Sequence, residues 1–277
     1  MRILHLVMKK EILDIDGHRI GFRCYGDPDG FPVIMHHGLV GSCNLLNYWG
    51  AKSKKAGVFL IAVERPGYGA SDHREDMQRI MDWPEILRPL LDHFHCKEFG
   101  AVGISAGAPY AYSLGAHFPE RVKGIWILSG IPYLVGETIL SCYPEEKQAV
   151  YRYYKSAPLG DIAERLEDYL NTVYNTHPEN SQVRKDVAAA RANGRLGIAR
   201  EVKLQISDWG FRPSDIVSPV TLWHSRKDDI VPFAAVEKTA VLIPDATLNI
   251  QQESTHYPSS ASITKMFGSI YSRVSGK

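Results

Sequence analysis

The stretch Phe99-Gly100-Ala101-Val102-Gly103-Ile104-Ser105-Ala106-Gly107 carries the pattern G-x-S-x-G at residues 103–107. An apolar segment typical of a buried strand precedes the pattern, and helical spacing from Pro109 to His117 follows it. Small residues beside Ser105 allow the strand and the helix to meet in a tight, strained turn that exposes the hydroxyl. A helix N-terminus also favours negative charge, which would stabilise an oxyanion formed beside Ser105. Ser105 is therefore the candidate nucleophile, and a Gly-rich loop that only packs closely or binds a phosphate is the alternative.

A serine nucleophile needs a base, and the base needs a carboxylate that orients it. In a strand–turn–helix setting the chain order is serine, acid, histidine. The histidines that follow Ser105 are His117, His177, His224 and His256. His117 ends the helix that the serine opens, His177 lies in a helical stretch, and His224 ends the strand that should deliver the acid. His256, between the last strand and the last helix, is therefore the predicted base.

The acid should lie in the loop after the late strand at Thr221-Leu222-Trp223. Asp228 and Asp229 are adjacent there, and alternation along an extended loop would send their side chains to different sides. One of the two is predicted to be the acid and the other a surface residue.

Two backbone N–H groups are expected to stabilise the oxyanion that acyl transfer creates. One belongs to Ala106, the residue after the nucleophile. The other belongs to Leu39, in the loop after the strand Pro32 to Met35, where Gly38 lets the backbone turn. We call residues 36–42 the candidate oxyanion loop, and we expect His36 and His37 to shape it rather than act as bases.

The rest of the chain alternates strand-like and helix-like segments, which predicts an α/β fold with a mostly parallel sheet flanked by helices. An opening hairpin is predicted around Asp16-Gly17, and a helix is predicted from Met77 to His93. Helical spacing without a strong strand marks residues 132–215 as a helical cap inserted after the sixth strand. Residues 1–131 and 216–277 form the predicted core domain.

The composition excludes several classes of protein. The chain has 277 residues and a formal net charge of +1, so no excess of cations is available for nucleic acid or an anionic membrane. Its four cysteines are too few for a disulfide scaffold and form no C-x-x-C pair that would predict a metal or redox site. The apolar run Ile3 to Met8 is too short for a signal peptide or a membrane span. These observations predict a cytoplasmic protein without a metal.

Together these features resemble an α/β-hydrolase of the serine-nucleophile type, the group that includes esterases, lipases and C–C bond hydrolases. The matching segments occur in the order of that family and cover the chain apart from the insertion. They are His37-Gly38 with Gly41-Ser42, residues 64–71 (Glu-Arg-Pro-Gly-Tyr-Gly-Ala-Ser), the turn at Ser105, residues 118–122 (Phe-Pro-Glu-Arg-Val), residues 228–232 (Asp-Asp-Ile-Val-Pro), and His256-Tyr257-Pro258.

The resemblance selects among the remaining alternatives. The family places its acid four residues before the proline, which implies Asp228 because Pro232 follows at that distance. Glu64 departs from the aspartate usual at that position, in a structural segment. A serine nucleophile disfavours the dehalogenases and epoxide hydrolases of the family, and the absence of a Gly-Gly-x-Gly run at His37 disfavours its proline iminopeptidases.

The function implied is hydrolysis of a small-molecule ester or similar acyl bond, with Ser105, His256 and Asp228 as a triad and without a cofactor. A C–C bond hydrolase acting on a diketone-like substrate is the main alternative. An acyltransferase or perhydrolase is a lesser one, and a ligand receptor without turnover is an alternative from another class. The expected partner is a small-molecule substrate, and the sequence predicts neither the substrate nor the oligomeric state.

Overall fold

The computed structural model of the protein describes residues 9–252 and 255–276. The apolar run at residues 3–8, on which part of the localisation argument rests, lies outside the described residues. Glu253 and Ser254, in the loop before the predicted base, also lie outside them. None of the helices in the described part of the chain combines the length and apolar character needed to cross a bilayer.

The described residues form one eight-stranded sheet with the order β1-β2-β4-β3-β5-β6-β7-β8. The first two strands pair antiparallel, β2 also runs antiparallel to β4, and the remaining pairs are parallel. The sequence therefore predicts the fold class correctly. The strands are β1 Glu11–Ile15, β2 His18–Gly26, β3 Phe31–His36, β4 Val58–Val63, β5 Phe99–Ile104, β6 Val122–Leu128, β7 Val220–Ser225 and β8 Ala246–Gln251.

Helices cover both faces of the sheet because the parallel strands are apolar on both sides. Side chains such as Trp49, Trp126 and Phe267 form a core between the sheet and the helices α1 and α10. A larger core fills the other face. The helices are α1 Asn47–Lys55, α2 Trp83–His93, α3 Ala108–His117, α4 Glu137–Leu140, α5 Glu145–Ser156, α6 Leu159–Thr176, α7 Gln182–Arg191, α8 Leu196–Ile206, α9 Phe233–Val241 and α10 Ser260–Ser275.

Two local predictions can be compared with the structure. The opening hairpin forms as predicted, with φ of 52° at Asp16 and 82° at Gly17, the left-handed pair that a type I′ turn requires. The helix predicted from Met77 starts later, since a 3₁₀ turn at Ile80–Asp82 leads into α2 at Trp83. Pro84 suits the first turn of α2, where its missing N–H costs no helical hydrogen bond, and α2 itself holds a second proline, Pro89, in its interior.

The chain between β6 and β7 forms α4 to α8, within the range predicted for the helical cap. These helices share the larger core with the sheet, so the insertion packs directly on it. Gly67 and Gly197 mark one close contact, because a side-chain carbon on Gly67 would lie 2.6 Å from Gly197 Cα. Nearby, the N–H of Gly69 donates to the carbonyl of Ala189. The insertion is thus held against the loop that follows β4.

Candidate active site

Ser105 lies at the end of β5, in a turn that leads through a 3₁₀ segment into α3. Its φ of 50° is a left-handed conformation that is strained for a residue with a side chain. The flanking glycines are needed for space. A side-chain carbon on Gly103 would lie 2.7 Å from Ala108 Cα, and one on Gly107 would collide with the carbonyl of His36. The turn thus presents the hydroxyl beside the candidate oxyanion loop.

The structure brings Ser105, His256 and Asp228 into one hydrogen-bonded chain. His256 Nε2 lies 2.9 Å from Ser105 Oγ, and His256 Nδ1 lies 2.9 Å from Asp228 Oδ2. A carboxylate can only accept, so Nδ1 carries the imidazole proton and Nε2 is left to accept from the serine hydroxyl. The geometry is that of a nucleophile, a base and an orienting acid.

Asp228 lies in the loop that follows β7, and its carboxylate makes four contacts, of which the one with His256 is given above. Its Oδ1 accepts the N–H groups of Ile230 and Val231 at 2.9 and 2.8 Å. Burial of the carboxylate raises its pKa, but the hydrogen bond and charge of His256, with the Val231 N–H, outweigh that effect and hold the pKa below its ordinary value. Asp228 is therefore an anion over the neutral pH range. Its neighbour Asp229 is exposed.

His224 is the fourth contact, and the sequence reasoning missed it. Its Nε2 lies 2.9 Å from the carbonyl of Val231 and 3.2 Å from Asp228 Oδ2. Both are acceptors, so Nε2 carries the proton, and Nδ1 has no partner among the described residues. Burial lowers the pKa of His224, which keeps the ring neutral. The available signal was its position four residues before Asp228 at a strand end.

The candidate oxyanion loop passes directly beside the serine. A side-chain carbon built on Gly38 would lie 3.6 Å from Ser105 Cβ. In the described part of the chain the N–H of Leu39 donates to no other group. Ala106, which carries the other predicted N–H donor, is buried and directly follows Ser105. Both predicted donors therefore belong to segments that adjoin the serine.

Two buried imidazoles shape this loop. Trp83 Nε1 donates to His36 Nε2 at 2.9 Å, which leaves His36 Nδ1–H to donate to the carbonyl of Val102 at 3.2 Å. Burial, with the nearby charge of Arg65, lowers the pKa of His36 to about 3. His37 Nδ1–H donates to the carbonyl of Gly38 at 2.7 Å, and burial also lowers its pKa. Both rings are therefore neutral.

Comparison with known proteins places this chain in a family. Residues 32–259 match the family model of the alpha/beta hydrolase fold. The chain belongs to the α/β-hydrolase family. Among solved structures, the esterase EaEST from Exiguobacterium antarcticum superposes with a TM-score of 0.73 at 21% identity, over 97% of this chain and all of that one.

Two curated relatives match this α/β-hydrolase over different lengths. A 2-hydroxy-6-oxononadienedioate/2-hydroxy-6-oxononatrienedioate hydrolase from Paraburkholderia phymatum is 22% identical over 237 residues, 81% of this chain and 80% of that protein. The uncharacterized hydrolase YcgS of Bacillus subtilis is 28% identical over 122 residues, 44% of this chain. That match spans 41% of the length of YcgS, less than half.

The insertion of this α/β-hydrolase contributes aromatic side chains of two kinds. Tyr143, Trp209 and Phe211 are buried in the larger core, whereas Tyr153 and Tyr169 are exposed. The insertion also contacts the loop that carries Asp228, because Lys147 in α5 donates to the carbonyls of Asp229 and Ile230 at 2.8 and 3.1 Å.

Within residues 9–252 and 255–276, no three His, Cys, Asp or Glu side chains cluster in a way that could hold a metal ion.

Proposed function

We propose that this α/β-hydrolase cleaves a small-molecule ester, or a similar acyl bond, through an acyl-serine intermediate. The observation that carries the proposal is the chain of two 2.9 Å contacts from Asp228 through His256 to Ser105. A histidine with Nδ1 occupied by a carboxylate and Nε2 facing a serine hydroxyl is arranged for general-base activation of that hydroxyl.

In the proposed reaction, Ser105 Oγ attacks the ester carbonyl carbon while His256 Nε2 takes the hydroxyl proton. The negative charge moves to the carbonyl oxygen, where the N–H groups of Leu39 and Ala106 stabilise it. The intermediate then collapses to the acyl-serine, and the leaving alcohol takes the proton from His256. A water molecule, deprotonated by His256, then attacks the acyl carbon. The bond from that carbon to Ser105 Oγ breaks, the acid leaves, and His256 returns the proton to Ser105 Oγ. Asp228 stays ionised and stabilises the imidazolium in both steps.

A C–C bond hydrolase is the second candidate, favoured by the likeness to the Paraburkholderia phymatum hydrolase. The substrate in that enzyme's name is a dioate and carries two carboxylates. The buried cation nearest the candidate oxyanion loop, Arg65, is already paired with Glu201 and so is not free to bind a substrate carboxylate. Arg65 therefore gives no support to a dioate substrate, whereas an uncharged ester needs no such cation.

We also propose a cytoplasmic location, supported by four free cysteines.

The test combines covalent labelling with a substrate panel. A fluorophosphonate should label Ser105, located by peptide mass spectrometry, and aryl esters of graded acyl length should be hydrolysed. Ser105→Ala should abolish labelling and reduce kcat by at least about 10³-fold. Ser113→Ala is the matched control, because Ser113 is a buried serine whose hydroxyl bonds, within the part of the chain that the structure describes, only to the carbonyl of Tyr110 in its own helix.

The outcomes separate the candidates. Faster turnover of a 2-hydroxy-6-oxo dienoate than of any ester would replace the ester proposal with the C–C bond alternative. Labelling without turnover of any substrate would favour a receptor, and retention of wild-type activity by Ser105→Ala would overturn the nucleophile assignment.

A further inference from the structure

Arg65 is fully buried between the candidate oxyanion loop and α8 of the insertion. Its Nε and Nη2 donate to the two carboxylate oxygens of Glu201 at 2.8 and 2.7 Å. The guanidinium also lies over the ring of Tyr110, 4.9 Å from the ring centroid. Arg65 and Glu201 thus form a bidentate ion pair in which both side chains are buried. Removing two charges from water costs free energy, and further hydrogen bonds are needed to offset that cost.

Those further bonds go to the peptide groups beside the proposed nucleophile. Arg65 Nη1 donates to the carbonyl of His37 at 2.5 Å, and Nη2 donates to the carbonyl of Gly38 at 3.2 Å. The Gly38 carbonyl also accepts from His37 Nδ1–H at 2.7 Å. One carbonyl oxygen therefore has both of its acceptor positions filled, one of them by a cation.

The Gly38 carbonyl and the Leu39 N–H belong to the same peptide plane. The described residues contain no cis peptide, so the two groups point in opposite directions. Donors that hold the carbonyl on the Arg65 side consequently turn the N–H away from Arg65. Because hydrogen bonds to a carbonyl polarise the whole amide, they also make its N–H a stronger donor.

We propose that Arg65 and Glu201 are positioning residues, through which α8 of the insertion directs the Leu39 N–H toward the oxyanion. The inference rests on the proposed acyl-transfer function and adds a role that the triad geometry does not contain. Glu201 acts by holding the guanidinium in the orientation that reaches Gly38.

The neighbouring side chain on α8 supports the same role. Gln205 Nε2 donates to Glu201 Oε1 at 3.2 Å and to the carbonyl of Ala106 at 3.4 Å. Ala106 carries the second proposed oxyanion donor. One helix of the insertion therefore contacts Ala106 directly and reaches the peptide group of Gly38 and Leu39 through Arg65. A substrate that displaces this helix would change kcat as well as binding.

The test compares an aryl ester with its thiono analogue, in which sulfur replaces the carbonyl oxygen. Sulfur accepts weaker and longer hydrogen bonds, so the ratio of the two kcat values reports on the oxyanion donors rather than on the triad. Glu201→Gln should lower kcat for the ester by roughly 10 to 100-fold, with KM changed less than about threefold, because the donor is misaligned only in the transition state. The ester-to-thionoester ratio should fall by about tenfold.

Two further variants keep the result interpretable. Arg65→Met/Glu201→Met removes both charges at similar volume, a replacement that buried ion pairs commonly tolerate, and it should show the same fall in ratio. Lys203→Met is the control on the same helix and should keep the wild-type ratio. Among the described residues, the side chain of Lys203 donates only to the carbonyl of Ala157, within the insertion.

An unchanged ratio in either folded Arg65 or Glu201 variant overturns the inference, and so does an equal fall in Lys203→Met. Failure of the proposed function is distinguishable from both outcomes, since the wild-type protein would then hydrolyse neither ester and Ser105 would not be labelled. The pH midpoint of kcat/KM should stay at the wild-type value in all variants, because none of them touches His256 or Asp228.

Discussion

Replacing Asp228 by Asn should disable the proposed base without disturbing the fold. Oδ1 of Asp228 accepts two backbone N–H groups, so the amide oxygen of the new side chain would take that position and its NH₂ would replace Oδ2. That NH₂ would face His256 Nδ1, at 2.9 Å in the wild-type protein, and His224 Nε2, at 3.2 Å. His224 Nε2–H would lose its contact with residue 228 but keep its hydrogen bond to the carbonyl of Val231. Since an amide NH₂ can only donate, Nδ1 would have to accept, and the imidazole proton would move to Nε2.

A proton on Nε2 would face Ser105 Oγ and leave nothing to accept the hydroxyl proton. The same change of tautomer in a serine protease costs about 10⁴ in kcat, so we expect a loss of about 10³ to 10⁴-fold here. That loss corresponds to about 4 to 5 kcal/mol in the activation free energy. The assay is kcat for an aryl ester, with the free energy of unfolding in urea measured on the same samples.

Asp229→Asn is the matched control. Asp229 is exposed, and its contact with Lys147 uses the backbone carbonyl, so the change should alter kcat by less than about twofold. Loss of activity in Asp229→Asn together with full activity in Asp228→Asn would refute the assignment of the acid. A large loss of folded protein in Asp228→Asn would refute the argument that only the tautomer changes.

Two further changes test the surroundings of the site. His224→Leu removes a neutral donor to Asp228, and a hydrogen bond to a charged acceptor is worth about 1.5 to 3 kcal/mol. The kcat of His224→Leu should therefore fall about tenfold or more, whereas His224→Gln should recover part of the lost activity. Equal activity in the two variants would contradict the positioning role of His224. Asp186 in α7 accepts hydrogen bonds from Ser42 and Gln182, and burial raises its pKa from 3.8 to about 6. The folded protein therefore holds the carboxyl proton of Asp186 more tightly than the unfolded chain does. Stability consequently falls as the pH rises from about 3.8 to about 6. Asp186→Asn should therefore raise the free energy of unfolding by roughly 1 to 3 kcal/mol at pH 7.5 and by much less near pH 4, and a gain independent of pH in urea titrations would contradict the linkage.

Local sequence patterns were sufficient to predict much of the fold of this protein. The spacing of apolar residues, the hairpin turn at Asp16-Gly17 and the glycines around Ser105 act through neighbours in the chain, so the fold class could be predicted from them. The predicted start of α2 was wrong, because apolar spacing does not distinguish the 3₁₀ turn at Ile80–Asp82 from the α-helix that begins at Trp83. The sequence also named Ser105, Asp228, His256, Leu39 and Ala106, and the structure brings the first three together, while their catalytic roles stay predictions.

What tertiary structure alone decided are the contacts between distant segments. Arg65 and Glu201 are separated by 136 residues, and neither has a pattern around it that predicts the other. They meet because the insertion packs on the sheet, and burial then makes an unpaired charge too costly to leave at that place. The second imidazole on Asp228 has a similar origin. His224 ends a strand, and only the path of the loop from Ser225 to Val231 returns the carboxylate to its Nε2, so the loop's fold decides that the two side chains meet.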